Sequence, residues 1–95
     1  MKLEPTVRRS SILSAAVVNA SRLGYLNITG STVAEEAGVS RGLVTHYFLS
    51  MGALRRAVMA EAVRLRLLPL VREGIAMRDP IAMRAPEDIR REALR

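Results

Sequence analysis

The sequence predicts an all-α protein, and three observations carry that prediction. Residues 12–23 and 54–68 each set apolar side chains on one stripe at helical spacing. Between them, residues 29–48 read as a helix, a three-residue turn and a second helix. Aromatic residues make up only 3% of the chain while 49% is hydrophobic, so the core must be aliphatic and the chain has too much apolar mass to stay disordered.

Residues 1–5 read as a frayed end. Pro5 and Thr6 then start a helix expected over 7–23, with Ile12, Ala16, Asn19, Ala20 and Leu23 on one stripe widened by Leu13 and Val17. Gly24 supplies the stop. Arg8 and Arg9 stand in the first turn, where the helix dipole disfavours cations. A phosphate bound at that helix start would account for them; a solvated basic tip would do so equally. Tyr25 and Leu26 open a short connection and are expected to plug the bottom of the core.

The central stretch, TGSTVAEEAGVSRGLVTHYF, carries the functional signal. Thr29 can cap a helix over 29–37, because its oxygen can accept from an orphan amide of the first turn. Val33, Ala34 and Ala37 share a face. Gly38, Val39 and Ser40 form the turn, glycine taking positive φ without steric cost. Ser40 caps a second helix over 41–48, in which Val44, Tyr47 and Phe48 turn inward. Ser40, Arg41, Gly42, Thr45 and His46 remain on the open face. Counted from Gly30, small or apolar residues fall at positions four, five, eight, ten and fifteen, with Gly38 at the ninth and Tyr47 the polar-tipped exception at the eighteenth. That is the spacing of a DNA-binding helix-turn-helix, whose second helix enters the major groove. An ordinary αα-hairpin is the alternative that spacing leaves open.

Roles within the open face divide by chemistry. Gly42 lets the backbone approach phosphates closely, or only permits helix packing. Thr45 can give a hydrogen bond or a methyl contact to thymine. Arg41 suits guanine or phosphate. His46, the only histidine, is expected at a phosphate or base, with a bystander surface position as the rival. Glu35 and Glu36 are expected to face away from a duplex.

Ser50 caps a fourth helix whose stripe runs through Leu54, Val58, Ala62, Leu65 and Leu68 until Pro69 ends or kinks it near Leu67. IAMRDP at 75–80 is followed by IAMRAP at 81–86, a small duplication read as a linker or a pair of short turns with its Ile and Met docked on the long helix. Pro86 starts a last helix, and Glu87 and Asp88 suit its positive end. Met51, Met59, Met77 and Met83 are expected to fill core gaps. The division is therefore a domain over 7–68 and a C-terminal linker and helix over 69–95, the latter a dimerisation segment.

Length and charge set the outer bounds. Ninety-five residues make one domain at most. Net charge is +6, with net +2 in residues 1–50 and +4 in 51–95, and every cation but Lys2 is arginine. Arginine forks suit phosphate and guanine edges, although a soluble helical surface with surplus arginine has the same balance. The lack of cysteine removes disulfides, thiolate metal sites and cysteine nucleophiles. No apolar run approaches the ~18 residues of a membrane span and no signal peptide opens the chain, so a cytoplasmic protein without membrane association is expected. No arrangement of Ser, His and Asp or paired carboxylates suggests an enzyme, and no metal or cofactor is expected.

The motifs ILSAA at 12–16, LGYLNIT at 23–29, VAEEAGVSRG at 33–42, and HYF at 46–48 with Ser50, together resemble the N-terminal DNA-binding domain of the TetR family of bacterial repressors over about 9–63. The resemblance implies a homeodomain-like three-helix head with a helix-turn-helix, followed by a long fourth helix and a short C-terminal helical segment. It places Thr29, Ser40, Arg41, Thr45, His46 and Tyr47 at positions that in relatives touch phosphates or bases. The sequence departs from the pattern at Met51, where lysine is usual, at Asn19 and Ala20, which replace a Leu-Phe pair, and at Thr45, where tyrosine is common. The family's effector-binding body has no room in 95 residues, so no small-molecule effector is expected. The resulting expectation is a repressor that binds double-stranded DNA at a palindrome as a homodimer. Its rival is a protein that binds and modulates a full-length relative by heterodimerisation, with adsorption of the Arg-flanked helix to an anionic membrane a remote third.

Overall fold

The computed structural model describes residues 4–95; the expected frayed end therefore lies partly outside the described residues. Seven α-helices run in the order α1 (Pro5–Leu23), α2 (Gly30–Ala37), α3 (Arg41–Phe48), α4 (Met51–Arg64), α5 (Leu68–Ala76), α6 (Pro80–Met83) and α7 (Glu87–Ala93), with a 3-10 turn at Tyr25–Asn27 and no strand among the described residues. The all-α fold holds. The α1–α3 head is the expected one, and α2 and α3 end where their caps and glycine place them.

Pro5 opens α1 two residues earlier than expected, at a helix start where its missing N–H costs nothing. The buried stripe of α1 is Ile12, Ala16, Val17, Asn19 and Ala20, while Leu23 at the last turn is exposed. Asn19, expected at the edge of the core, is 1% exposed and lies inside it. Its Oδ1 accepts from Thr32 Oγ1 at 2.7 Å, which satisfies the buried amide oxygen and pins α2 to α1. Thr32 in turn completes a capping box. Its Oγ1 accepts from the Thr29 N–H at 2.9 Å, and Thr29 Oγ1 accepts from the Thr32 N–H at 3.0 Å. Thr29 is thus the cap itself, not the first helical residue.

The 3-10 turn rotates its side chains off the expected register. Tyr25 is buried, but Leu26 is 57% exposed and Ile28 fills the core in its place. The Tyr25 hydroxyl donates to the Arg55 carbonyl at 2.9 Å and faces Asp79 Oδ2 at 3.2 Å, while its N–H donates to Glu73 Oε1 at 3.2 Å. One residue of the head is therefore bound to α4, α5 and the cap of α6.

The C-terminal third departs most from expectation. α4 stops at Arg64, short of Pro69, because Arg66 takes a left-handed conformation at φ 55°. The Arg66 N–H donates to Val63 O and the Leu67 N–H to Ala62 O, a Schellman closure with arginine where glycine is usual. Leu65 consequently leaves the apolar stripe and is exposed. The same closure recurs after α5. Arg78, at φ 58°, donates to Ile75 O, and Asp79 donates to Gly74 O. The duplicated hexapeptides are therefore not a linker: the first ends α5 and turns, and the second forms α6 and the approach to α7. Their prolines begin helices instead of preventing them. Pro80 follows the Asp79 cap, whose Oδ1 accepts from the Ile81 and Ala82 amides at 2.9 and 3.1 Å.

α4 is the shared wall of the two halves, touching α1 and α3 on one side and α5 and α6 on the other. Leu54, Val58, Met59 and Ala62 are its buried face. A Cβ on Gly74 would stand 2.6 Å from both Ala82 Cβ and Met59 Cε, so α5 approaches its neighbours at a distance only glycine allows. Of the methionines expected in the core, Met59 is buried and Met51 half-buried, but Met77 and Met83 are exposed at the turns the two closures create.

Burial, reinforced by the Asp79 carboxylate, pushes the Tyr25 phenol from 10.0 up to about 12. The folded state holds the proton more tightly, so this stabilisation is complete below pH 10.0 and is lost as pH rises through about 12. Tyr25→Phe should cost about 0.5–1.5 kcal/mol near neutrality. It should also remove most of the alkaline fall in stability, as followed by urea unfolding across that window.

Candidate nucleic-acid interface

Gly38, at φ 70° and ψ 34°, turns the chain between α2 and α3 by donating to Glu35 O while the Val39 N–H donates to Ala34 O. Val33 and Ala34 of α2 and Val44 and Phe48 of α3 are buried along the seam. That packing turns the opposite face of α3 outward, and Ser40, Arg41, Gly42, Thr45 and His46 are all exposed on it. Tyr47, expected inward, is half-buried and meets the His46 ring edge-to-face at 5.0 Å and 84°.

The hydroxyl residues have structural duties beside any contact they make. Thr29 caps α2, Ser40 accepts from the Leu43 N–H at 3.2 Å, and Ser50 accepts from the Ala53 N–H at 3.1 Å. Gly30, Arg41, Thr45, Ser50 and Met51 border a cleft of about 100 Å³ between α3 and the starts of α2 and α4. Arg41 leans across it: its Nε lies 3.7 Å from where a Cβ on Gly30 would stand. Thr45 Oγ1 donates to the Arg41 carbonyl at 3.2 Å.

Arg9 and Arg8 part company. The Arg9 guanidinium sits 4.5 Å from the centre of the Phe48 ring, a cation–π contact that brings α1's first turn to the end of α3. Arg8 is half-buried on the same turn. Among the described residues the ion pairs are Arg22–Glu36, Arg64–Glu61, Arg66–Asp88 and Arg91–Glu87. None engages Arg8, Arg9 or Arg41, so these three cations carry charge that no ion pair compensates. Glu36 is drawn off toward Arg22 at 2.8 Å and does not border the cleft.

The sequence model of the bacterial regulatory proteins, tetR family, matches residues 12–58. The HTH-type transcriptional regulator BetI of Agrobacterium fabrum is 38% identical over 74 residues, 78% of this chain and 34% of that protein. The regulators of the same name from Serratia proteamaculans and Stenotrophomonas maltophilia are 34% and 36% identical over 71 and 62 residues, which make up 67% and 65% of this chain and 36% and 31% of theirs. The chain thus spans about a third of the length of these curated relatives. No solved structure matches it.

One residue of this face was not legible in the sequence. Leu49 is 79% exposed and joins α3 to α4 at φ 63° and ψ −41°. The Ser50 N–H donates to Phe48 O at 2.6 Å across it, so Leu49 is the centre of a strained γ-turn. The only signal was spacing, since two residues between Phe48 and the first turn of α4 leave no room for a gentler reversal. Such strain costs on the order of 1–3 kcal/mol in a residue with a Cβ. Leu49→Gly should therefore raise the unfolding free energy by about 1 kcal/mol, after the entropy cost of glycine, in a denaturant titration.

Proposed function

The chain carries the N-terminal helix-turn-helix domain of the tetR family of bacterial regulatory proteins, to which it belongs, and from that premise we propose that it is a sequence-specific DNA-binding transcriptional regulator, a repressor that reads a palindromic operator as a homodimer. The observation that carries this reading is the outward face of α3. Arg41, Gly42, Thr45 and His46 stand exposed on a short helix whose other side is locked into the core. Gly42 thins that helix where it would meet a duplex. The capped starts of α2 and α4 flank it, and Thr29 at the first of these, with Ser40 and Tyr47 of α3 itself, would meet sugar and phosphate. Arg9, stacked on Phe48 at the end of α3, and its neighbour Arg8 would add positive charge from α1 for a phosphate.

Arg41 is assigned to the DNA backbone and not to a base. Its side chain leaves α3 sideways over Gly30, toward the cleft between helix starts, instead of extending from the outermost line of Gly42 and His46. His46 is left as the polar side chain best placed for a base edge or a phosphate.

A recognition helix of eight residues spans only a few base pairs, so one copy cannot specify a site. Two copies related by a twofold axis would read two half-sites about one helical turn, or a multiple, apart. The exposed Leu65, Met83 and Leu94, at the end of α4 and on α6 and after α7, offer apolar surface for that pairing. Among the described residues no helix is long and apolar enough to cross a membrane; a regulator that reads chromosomal DNA would work in the cytoplasm.

Selection of duplexes from a random pool by the full chain, followed by gel shift and light scattering, tests the reading. An inverted repeat bound by two copies is expected. Absence of any duplex retention at low salt overturns DNA binding, and a monomer both free and on DNA overturns the homodimer. Arg41→Ala should weaken binding equally for selected and unrelated duplexes and lower the salt slope by about one. A loss confined to the selected sequence would return Arg41 to base reading.

A further inference from the structure

We propose that Thr45 reads the 5-methyl group of a thymine through its own methyl, and that its hydroxyl donates to no base; this rests on the DNA-binding reading above. A threonine hydroxyl has one proton to donate. Here that proton is engaged one turn back, Thr45 Oγ1 donating to the Arg41 carbonyl at 3.2 Å. Donation to a purine N7, guanine O6 or thymine O4 would require breaking a bond internal to α3. The oxygen is drawn back along the helix, and the methyl on the same carbon is left as the group free to meet a partner.

The surroundings allow so short a side chain to reach. Thr45 is exposed. One turn before it, Gly42 has no side chain, and the nearest atom a Cβ there would meet is Ser40 Oγ at 3.9 Å. Arg41 leans across Gly30, over the cleft that Thr45 also borders. On the side of Gly42 the ground beside Thr45 is clear, and a base edge can come against the methyl there. In the major groove only thymine presents a methyl group, so the contact specifies one base. The operator should hold that thymine once in each half-site.

The test uses the full chain and the duplex it selects from a random pool, with each thymine replaced singly by deoxyuridine, which removes the 5-methyl and nothing else. In the unaltered protein one thymine per half-site should be sensitive, its replacement weakening binding about fourfold, the equivalent of ~0.8 kcal/mol for one buried methyl. Thr45→Val keeps a methyl and drops the hydroxyl; it should bind with unchanged affinity and keep the fourfold preference. Thr45→Ser keeps the hydroxyl and drops the methyl; it should bind the thymine and deoxyuridine duplexes alike. The opposite pattern, discrimination kept by Thr45→Ser and lost in Thr45→Val, overturns the assignment, as does a selected duplex in which no thymine is sensitive. Failure to select any duplex would overturn the DNA-binding reading itself, and the two failures are thereby told apart. Thermal melts of both variants accompany the titrations, and the two substitutions at an exposed position check one another.

Discussion

Short helices can share one core only if the chain reverses tightly between them, and here nearly every reversal is made by a residue with positive φ. Gly24, Gly38, Leu49, Arg66 and Arg78 occupy five of the six junctions between successive helices, at φ 100°, 70°, 63°, 55° and 58°. Such a residue does two things at once. It redirects the chain, and at Gly38, Arg66 and Arg78 it lets its own amide and the next fold back onto the last carbonyls of the helix just ended. Without that closure those carbonyls would be left unpaired against the core, at a cost comparable to a lost hydrogen bond each. Glycine meets the demand without strain; the three residues with a Cβ do not.

The strain is held down by what the turns bring together. Arg66 reaches Asp88 of α7 at 3.0 Å, and that guanidinium holds the Asp88 carboxyl below its usual range. Both groups are exposed, so the pair orients more than it stabilises. The larger compensation is apolar: the turn at Arg66 sends α5 back along α4, burying Leu70 and Val71, and the turn at Arg78 lays Ala82 against Gly74. Each buried aliphatic side chain of that size is worth roughly 1.5–3 kcal/mol, enough to outweigh a strained φ. Leu49 has no such return, because its own side chain points into solvent. The one uncompensated strained residue thus lies at the end of α3, the helix with the open outer face.

What could be read in advance follows from the same distinction. Where glycine and hydroxyl caps make the turn, as at Thr29, Gly38 and Ser40, residue type alone places the helix ends, and the head was legible to within a residue or two. Where arginine takes the left-handed position, residue type points to continued helix, and the periodic stripe through Leu65 reinforced the error. The prolines misled for a related reason. Proline forbids helix before it but favours helix after it; Pro86 was read in the second sense, but Pro80, closing the first hexapeptide, only in the first. In the site, helical period sufficed to say which face of α3 is open. It could not say that Arg9 of α1 stacks on Phe48, a contact across 39 positions, nor which way the exposed Arg41 and Thr45 side chains turn. Those are settled by neighbours that only the fold assembles.

The region similar to the tetR family ends at residue 58, yet the head it describes does not close by itself. Met59 and Ala62, in the last turns of α4, are fully buried, and Leu70, Val71 and Ala82 belong to the same core. The polar atoms of Tyr25 find their partners at Arg55, Glu73 and Asp79, two of them beyond that region. The tail is therefore part of what holds α4 against α1, and α4 begins at the Ser50 cap that borders the cleft with Arg41 and Thr45. The direction in which α3 presents its open face is set from both ends of the chain: by Asn19 and Thr32 from the amino-terminal side, and through α4 by helices packed more than thirty residues away in sequence from Gly38.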